Sequence, residues 1–358
     1  MDAKKAVMTM KPYNPPTENR RGKLRLDFNE NTLGPSLNVL EAIKNAFNED
    51  YCVYPEYGEI REKIAEFVGL QKKNVVVTNG GDEGIRNVID CFVEERRGIV
   101  IPCPSYAMFR FYGELGNVNV KEALYNEDLS FNKENVLKEI NDKTDLVVLC
   151  NPNNPTGTLI KRKEIIEIAE QALGKNAIVL VDEAYYEFSN ETVIDLVNEY
   201  ENLVVLRSFS KAFGLAGLRI GFLVSCEENI KNLLKMGSPY SVNSLAVKAT
   251  LMALKDKKSI ELYITDVLNA KKTTLQKFEK LGIKTFESKA NFFIAKFGDN
   301  ASLICRKLAD RGILIRNRSD YPLLKGCLRI GVGTQEQMNF FVEELKKILE
   351  EVEYEKNC

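Results

Sequence analysis

The chain of 358 residues contains no histidine. That absence removes Ser–His triads, Cys–His nucleophiles and zinc sites built with imidazole. Its eight cysteines, at positions 52, 91, 103, 150, 226, 305, 327 and 358, include no CxxC pair, and no metal is expected. Cys91, Cys150 and Cys226 fall in apolar runs and read as small core residues. There is no long basic run and the net charge is −1, so nucleic acid and acidic membrane surfaces are not expected partners. No apolar stretch approaches a membrane span, and Met1-Asp2-Ala3-Lys4-Lys5 leads into no core of signal-peptide type. A reducing, cytoplasmic setting is the expectation. Neither an internal repeat nor a low-complexity segment is visible. Acid–base chemistry must therefore rest on Lys, Tyr, Asp or Glu.

What is present is an ordinary globular composition, 44% apolar and 28% charged, in a chain long enough for about two domains. Residues up to about 30 carry Pro12, Pro15 and Pro16 and read as an extended arm. A helix is predicted to open at Ser36, with apolar spacing at Val39, Leu40, Ile43 and Phe47. From residue 74 the pattern becomes strand, turn and helix, repeated. Apolar strands are predicted at 75–78, 99–101, 146–150, 178–181, 203–206 and 220–224, with helical period between several of them, as at 85–93 and 165–173. Fully apolar strands alternating with helices indicate an α/β fold with a mostly parallel sheet covered on both faces. Ligands of such sheets sit beyond the carboxyl ends of the strands. A proline-free stretch over 242–281 predicts a connecting helix or a pair of helices. Beyond Gly282, strands at 283–286, 292–296, 313–316 and 327–332, with helices from Ser302 and Gln335, suggest a smaller α+β domain. The expected division is an arm over 1–35, a large domain over 36–255 and a small domain over 256–358.

Several motifs follow the predicted strands. The run from Arg207 to Arg219 places two hydroxyls, Ser208 and Ser210, beside Lys211, with Arg219 eight residues on. Hydroxyls and a cation at a strand end can hold a phosphate, and a deprotonated lysine can attack a carbonyl carbon. A cofactor that is both phosphorylated and an aldehyde uses all of these groups, which points to pyridoxal phosphate on Lys211. Asn79-Gly80-Gly81-Asp82 opens a helix; it can bind phosphate through free N–H groups, or Asp82 can simply cap the helix. Asn151-Pro152-Asn153-Asn154-Pro155 fixes an amide, Asn154, that can donate to a phenolate oxygen. Asp182 at a strand end needs a cationic partner, such as a pyridinium nitrogen, or else caps the next turn. Tyr185 can reach the same phenolate oxygen, and Tyr106 can stack on a pyridine ring. Arg329, inside an apolar strand, needs an anion or a core acid, and Arg316 ends the neighbouring strand. Arg318 reads as solvated.

Taken in order, Asn-Pro-Asn-Asn-Pro-Thr-Gly, Asp-Glu-Ala-Tyr, Ser-Phe-Ser-Lys-Ala-Phe-Gly-Leu-Ala-Gly-Leu-Arg and Cys-Leu-Arg-Ile-Gly-Val-Gly-Thr resemble the fold-type-I pyridoxal-phosphate-dependent aminotransferases. Asp27-Phe28-Asn29-Glu30-Asn31, Tyr54-Pro55-Glu56, Gly81-Asp82-Glu83, Pro104-Ser105-Tyr106, Ala290-Asn291-Phe292 and Gly312-Ile313-Leu314-Ile315-Arg316 bring the likeness nearest to the histidinol-phosphate branch of that family. The resemblance implies a large domain with a central sheet, a smaller C-terminal domain, and a homodimer with shared active sites. It implies catalytic roles for Lys211, Asp182 and Tyr185. Cofactor contacts are implied for Gly81, Asp82, Tyr106, Asn154, Ser208, Ser210 and Arg219, with Tyr54 reaching the partner's cofactor phosphate. Substrate contacts are implied for Arg316, Arg329, Asn29 and Tyr13, the last in the neighbouring subunit. Two departures stand out: Tyr13-Asn14-Pro15-Pro16 where the family usually has Tyr-x-Pro-Gly, and Gly81 where Ser or Ala is usual. The implied activity exchanges an amino group between histidinol phosphate and 2-oxoglutarate. An aromatic amino-acid aminotransferase and a threonine-phosphate decarboxylase share the same apparatus. A transcription regulator with an aminotransferase-like domain would need a helix-turn-helix module, for which about 35 residues ahead of the first motif helix are too few.

Overall fold

The computed structural model describes residues 2–357; Cys358 lies outside the described residues. Seven strands form the larger sheet: Val75–Thr78 (β2), Gly98–Cys103 (β3), Asn119–Leu124 (β4), Thr144–Cys150 (β5), Ile178–Asp182 (β6), Leu203–Ser208 (β7) and Gly221–Ser225 (β8), in the order β2-β8-β7-β6-β5-β3-β4. Leu24–Arg25 (β1) belongs elsewhere and is described below. The pairs from β4 to β7 are parallel, while β8 runs antiparallel to both β2 and β7.

The sheet forms because its central strands have no polar face. Val147 and Leu149 of β5 enter one apolar cluster with Val179, Val181 and Val205, while Leu146, Val148 and Cys150 enter another with Leu180, Val204 and Leu206. Alternate residues of one strand thus serve two cores, as expected of a sheet covered on both sides. Helices Gly80–Phe92 and Ala107–Leu115 cover one side; Arg162–Leu173 covers the other. Strand β4, which the sequence reading did not find, is an edge strand with only Ala123 buried. Its Lys121 and Glu122 blunt a free edge and hide the apolar signature.

A second, antiparallel sheet of four strands has the order β12-β13-β10-β9, with Lys284–Thr285 (β9), Phe292–Lys296 (β10), Arg316–Asn317 (β12) and Cys327–Gly331 (β13). Ile313–Leu314 (β11) precedes β12 and pairs in parallel with β1. The predicted single strand over 313–316 is thus two short strands serving different partners. Helices Ser244–Lys255 and Lys257–Lys280, broken at Asp256, fill the connecting stretch as a pair.

The N-terminal arm is not wholly extended, since Lys5–Thr9 is a short helix with no buried residue. The helix opened by Ser36 spans Leu37–Lys44, so Phe47 lies beyond it, and Leu40 and Phe47 are exposed. Cys91 and Cys226 are only partly buried, whereas Cys150 is a core residue.

Residues 24–31 run between the two sheets. The Leu26 N–H donates to the Leu314 carbonyl at 2.8 Å, and the Leu26 carbonyl accepts from Gly331 N–H at 2.8 Å. Further on, Asn31 Nδ2 donates to the Ala212 carbonyl at 3.0 Å. This segment carries Asp27, Phe28, Asn29 and Glu30 to the carboxyl end of the larger sheet.

Candidate active site

Parallel register sets the site. Cys150 pairs with Asp182 and Asp182 with Leu206, so the carboxyl ends of β5, β6 and β7 finish level. A cavity of about 580 Å³ opens there, between the two sheets. Beneath it Arg207 and Glu183, both buried, are paired at 2.9 Å, and the Arg207 guanidinium lies 3.6 Å from the Tyr186 ring centroid. This ion pair bolts the ends of β6 and β7 together, and so fixes the neighbouring Asp182 and Ser208.

Lys211 lines the cavity, where its Nζ donates to the Phe28 carbonyl at 3.0 Å and lies 5.5 Å from the Tyr185 ring centroid. Desolvation, with the positive charge of Arg329 second, lowers its amine to about 8. A neutral amine is therefore accessible near neutral pH. Asp182 is 4% exposed, and its Oδ1 accepts from the Ala184 N–H at 3.0 Å. Burial raises its carboxyl to about 7, and a cation placed opposite Asp182 would restore its charge.

Tyr185 is held from two sides: its hydroxyl accepts from Asn29 Nδ2 at 3.1 Å and from Asn154 Nδ2 at 3.3 Å. Burial raises this phenol well above its ordinary range. Asn29 Oδ1 is buried with no partner. Asn154 Oδ1 and the Asp27 carbonyl both accept from Arg329, whose Nε is buried and unpartnered.

At the opposite end, Gly81, Asp82, Ser208, Ser210 and Arg219 line the same cavity. Ser208 Oγ accepts from Ser210 N–H at 3.1 Å. Arg219 is paired with Asp82 at 3.3 Å, and Tyr106 donates its hydroxyl to the other oxygen of Asp82 at 2.9 Å. Asp82 therefore does not cap its helix; it orders a cation and an aromatic ring. The N–H of Asn79, ahead of the helix, is instead satisfied by Glu83 at 2.6 Å. Gly80 has φ 77°, and a methyl group there would stand 2.5 Å from Arg219 Nη2. Ser105, at 2.8 Å from Asn153 Oδ1, ties the loop after β3 to the loop after β5.

The other expected residues divide. Tyr13 lines the cavity of its own chain, where the sequence reading had it serving a neighbouring one. Arg316 lies 5.4 Å from the ring centroid of Phe28, which lines the cavity, but is not itself among the lining residues. Tyr54 is 72% exposed, away from this cavity, and stacks on Tyr240 at 4.3 Å. Arg318 overturns its reading as a solvated residue, being 8% exposed and part of the cavity wall. Its sequence, Arg-Ser-Asp-Tyr-Pro, looks like a polar loop; what buries it is the continuation of the β12–β13 ladder, in which Arg318 N–H donates to the Cys327 carbonyl at 3.0 Å. Phe28 was also missed, and no pattern in its own segment marks it.

Comparison with known proteins finds the family "Aminotransferase class I and II" matched over residues 21–345. The histidinol-phosphate aminotransferase of Caldanaerobacter subterraneus subsp. tengcongensis is 37% identical over 337 residues, covering 93% of this chain and 95% of that one. Among solved structures, the histidinol-phosphate aminotransferase of Sinorhizobium meliloti in complex with pyridoxal-5'-phosphate superposes with a TM-score of 0.89 at 24% identity, covering 98% of each chain. The L-threonine-O-3-phosphate decarboxylase of Porphyromonas gingivalis superposes with a TM-score of 0.79 at 25% identity, over 91% of this chain and 99% of that one.

Proposed function

The chain belongs to the class I and II aminotransferases, and from that premise we propose that it transfers an amino group between histidinol phosphate and 2-oxoglutarate, as in histidine biosynthesis. The observation that carries this reading is the gathering of Lys211, Asp182, Tyr185, Asn154, Ser208, Ser210 and Arg219 around one cavity. Its cofactor is pyridoxal 5'-phosphate, and the donor set fits it. A buried carboxyl awaits a cation, a lysine amine is lowered to about 8, and hydroxyls, glycine N–H groups and a guanidinium converge at one end.

When bound, the cofactor supplies an electron sink for the carbon that loses its proton. Lys211 would hold the cofactor covalently, and its amine would serve as the base toward the proton on the donor carbon. Asp182 would keep the ring nitrogen protonated. Tyr185 and Asn154 would donate to the ring's phenolate oxygen, and Tyr106 would stack on the ring. Gly81, Asp82, Ser208, Ser210 and Arg219 would hold the phosphate, Asp82 by orienting Arg219. Arg329 and Arg316 take the anionic group of the substrate, with Asn29 and Tyr13 closing the cavity around it.

The reading includes a cytoplasmic homodimer in which Tyr54 serves the partner's cofactor phosphate. Leu37, Leu40, Phe47, Tyr51, Val53 and Tyr54 are all exposed, a run of apolar side chains that supports burial against a second copy. The seven described cysteines are free, in keeping with a reducing compartment. The arm over 1–35, the large domain over 36–255 and the small domain over 256–358 are its working parts.

The test is an amino-donor screen on the loaded enzyme with 2-oxoglutarate as acceptor, using histidinol phosphate, phenylalanine, tyrosine and phosphothreonine. Preference for histidinol phosphate is expected. Preference for an aromatic donor, or carbon dioxide release from phosphothreonine, would replace the substrate and leave the cofactor in place.

A further inference from the structure

Register places Arg316 of β12 directly opposite Arg329 of β13. Arg318 lies two residues beyond Arg316 on a ladder continued by its own N–H, so all three arginines occupy one face of the smaller sheet. Like charges opposite each other on one face are destabilising unless something neutralises them. Among the described residues none of the three is held in an ion pair. The nearby carboxylates are engaged elsewhere: Asp27 and Glu30 with Arg20 at 2.7 and 2.9 Å, Asp82 with Arg219, and Asp182 with the Ala184 N–H.

Arg318 is buried and poorly satisfied. Its Nη1 reaches Tyr321 Oη only at a long 3.4 Å, the guanidinium lies 5.1 Å from the same ring's centroid, and its Nε is buried without a partner. Both Arg318 and Tyr321 line the cavity. Leaving a buried guanidinium short of hydrogen bonds is costly, and an anion entering the cavity removes that cost.

We infer that Arg318 is a substrate-binding residue that discriminates by charge, completing with Arg329 a site for the phosphoryl group of a phosphorylated amino donor. A phosphate monoester carries about −1.5 to −2 at pH 7 with three acceptor oxygens, whereas a carboxylate carries −1 with two. Arg329 already commits one N–H of each terminal nitrogen to Asn154 and the Asp27 carbonyl, and its single charge is short of what a phosphoryl group brings. Arg318 supplies the second cation, and its contribution is largest where the ligand is doubly charged. Burial, opposed by the tyrosines beside it, pulls Arg318 below its ordinary range; burial first and Arg318 second take Arg329 to about 9. Each effect is relieved by an anion between them. This inference rests on the proposed substrate.

The experiment uses the loaded enzyme and compares Arg318→Gln and Arg318→Lys with the unaltered protein. Donors are histidinol phosphate and its unphosphorylated counterpart, histidinol. Expected is a rise of about 10- to 100-fold in KM for histidinol phosphate with Arg318→Gln, and a smaller rise with Arg318→Lys, while kcat/KM for histidinol moves by less than about 3-fold. Equal effects on the two donors, or no effect on the phosphorylated one, would overturn it. Retention of the cofactor's visible absorbance shows that a variant has folded; if Arg318→Gln has not, Arg318→Lys alone decides by the same comparison. Should the unaltered protein reject histidinol phosphate, the substrate reading fails on its own. Arg318 is then judged by inorganic phosphate as competitor against whichever donor is accepted: weakened inhibition in the variant supports the subsite, and unchanged inhibition ends it.

Discussion

Gly80 gives Arg219 its place: a methyl group on Gly80 would stand 2.5 Å from one guanidinium nitrogen and 2.9 Å from the guanidinium carbon. Gly80 also has φ 77°, a conformation that side-chain-bearing residues adopt at a cost of about 1–3 kcal/mol. Gly80→Ala should therefore lose about that much stability in urea unfolding. It should also weaken cofactor binding by at least about 10-fold, since a charged hydrogen bond contributes about 1.5–3 kcal/mol. Gly81→Ala is the control. Its methyl group would meet only Leu206 Cδ2 at 3.3 Å, and retention of affinity within about 3-fold is expected from a titration followed by absorbance.

The cofactor-free protein should show two pH windows of opposite sign. Asp182, raised to about 7 by burial, binds a proton in the folded state between about pH 4 and 7 that the unfolded chain does not. Its contribution to stability therefore falls as pH rises through that window. Lys211, lowered to about 8, lacks a proton between about pH 8 and 10.5 that the unfolded chain keeps, so its contribution rises with pH there. Thermal unfolding across pH measures both. Asp182→Asn should flatten the first slope, and an unchanged slope would show that other groups set it.

Tyr185→Phe removes one hydroxyl and strands two amides, those of Asn29 and Asn154. An unsatisfied buried donor costs about 1–3 kcal/mol, so a loss of at least about 1 kcal/mol should appear in denaturant unfolding of the cofactor-free protein. A loss below a few tenths would mean that these amides find water.

Tyr54 and Lys211 can be tested together. Tyr54→Ala and Lys211→Ala homodimers should each be impaired, but a hybrid holds one site with both residues if Tyr54 acts across the interface. Statistical remixing of the two variants should then recover about a quarter of the unaltered activity by C2 symmetry. No recovery, or a single-chain mass of 40.6 kDa in solution, would remove Tyr54 from the site.

The central strands were legible because they are apolar along their whole length, and only a sheet covered on both faces buries such a strand completely. The residues after them were legible for a related reason: Asp182 and Arg329 are charges where the surrounding apolar pattern permits none without a partner, and Lys211 stands beside two hydroxyls and a glycine-bearing turn at a strand end. Edges and ladders were not legible. β4 is half polar because one side of it is free, and Arg318 sits in a polar loop that backbone pairing to Cys327 and its own Tyr321 hold against the cavity. The helix predicted to reach Phe47 stops at Lys44, since Phe47 faces solvent in the single chain and exerts no packing pull on the turn before it.

Residues 24–31 are hydrogen-bonded by their backbone to the strands around Leu314 and Gly331, yet their side chains grip Tyr185 and the carbonyl of Ala212. They form an inextensible cord whose two ends are knotted to different slabs of the molecule. A tilt of one slab against the other therefore pulls on this cord as well as on the apolar contacts between them. Whatever force a bound molecule exerts on the smaller slab is delivered, through Phe28 and Asn29, to the lysine and the phenol at the floor of the cleft.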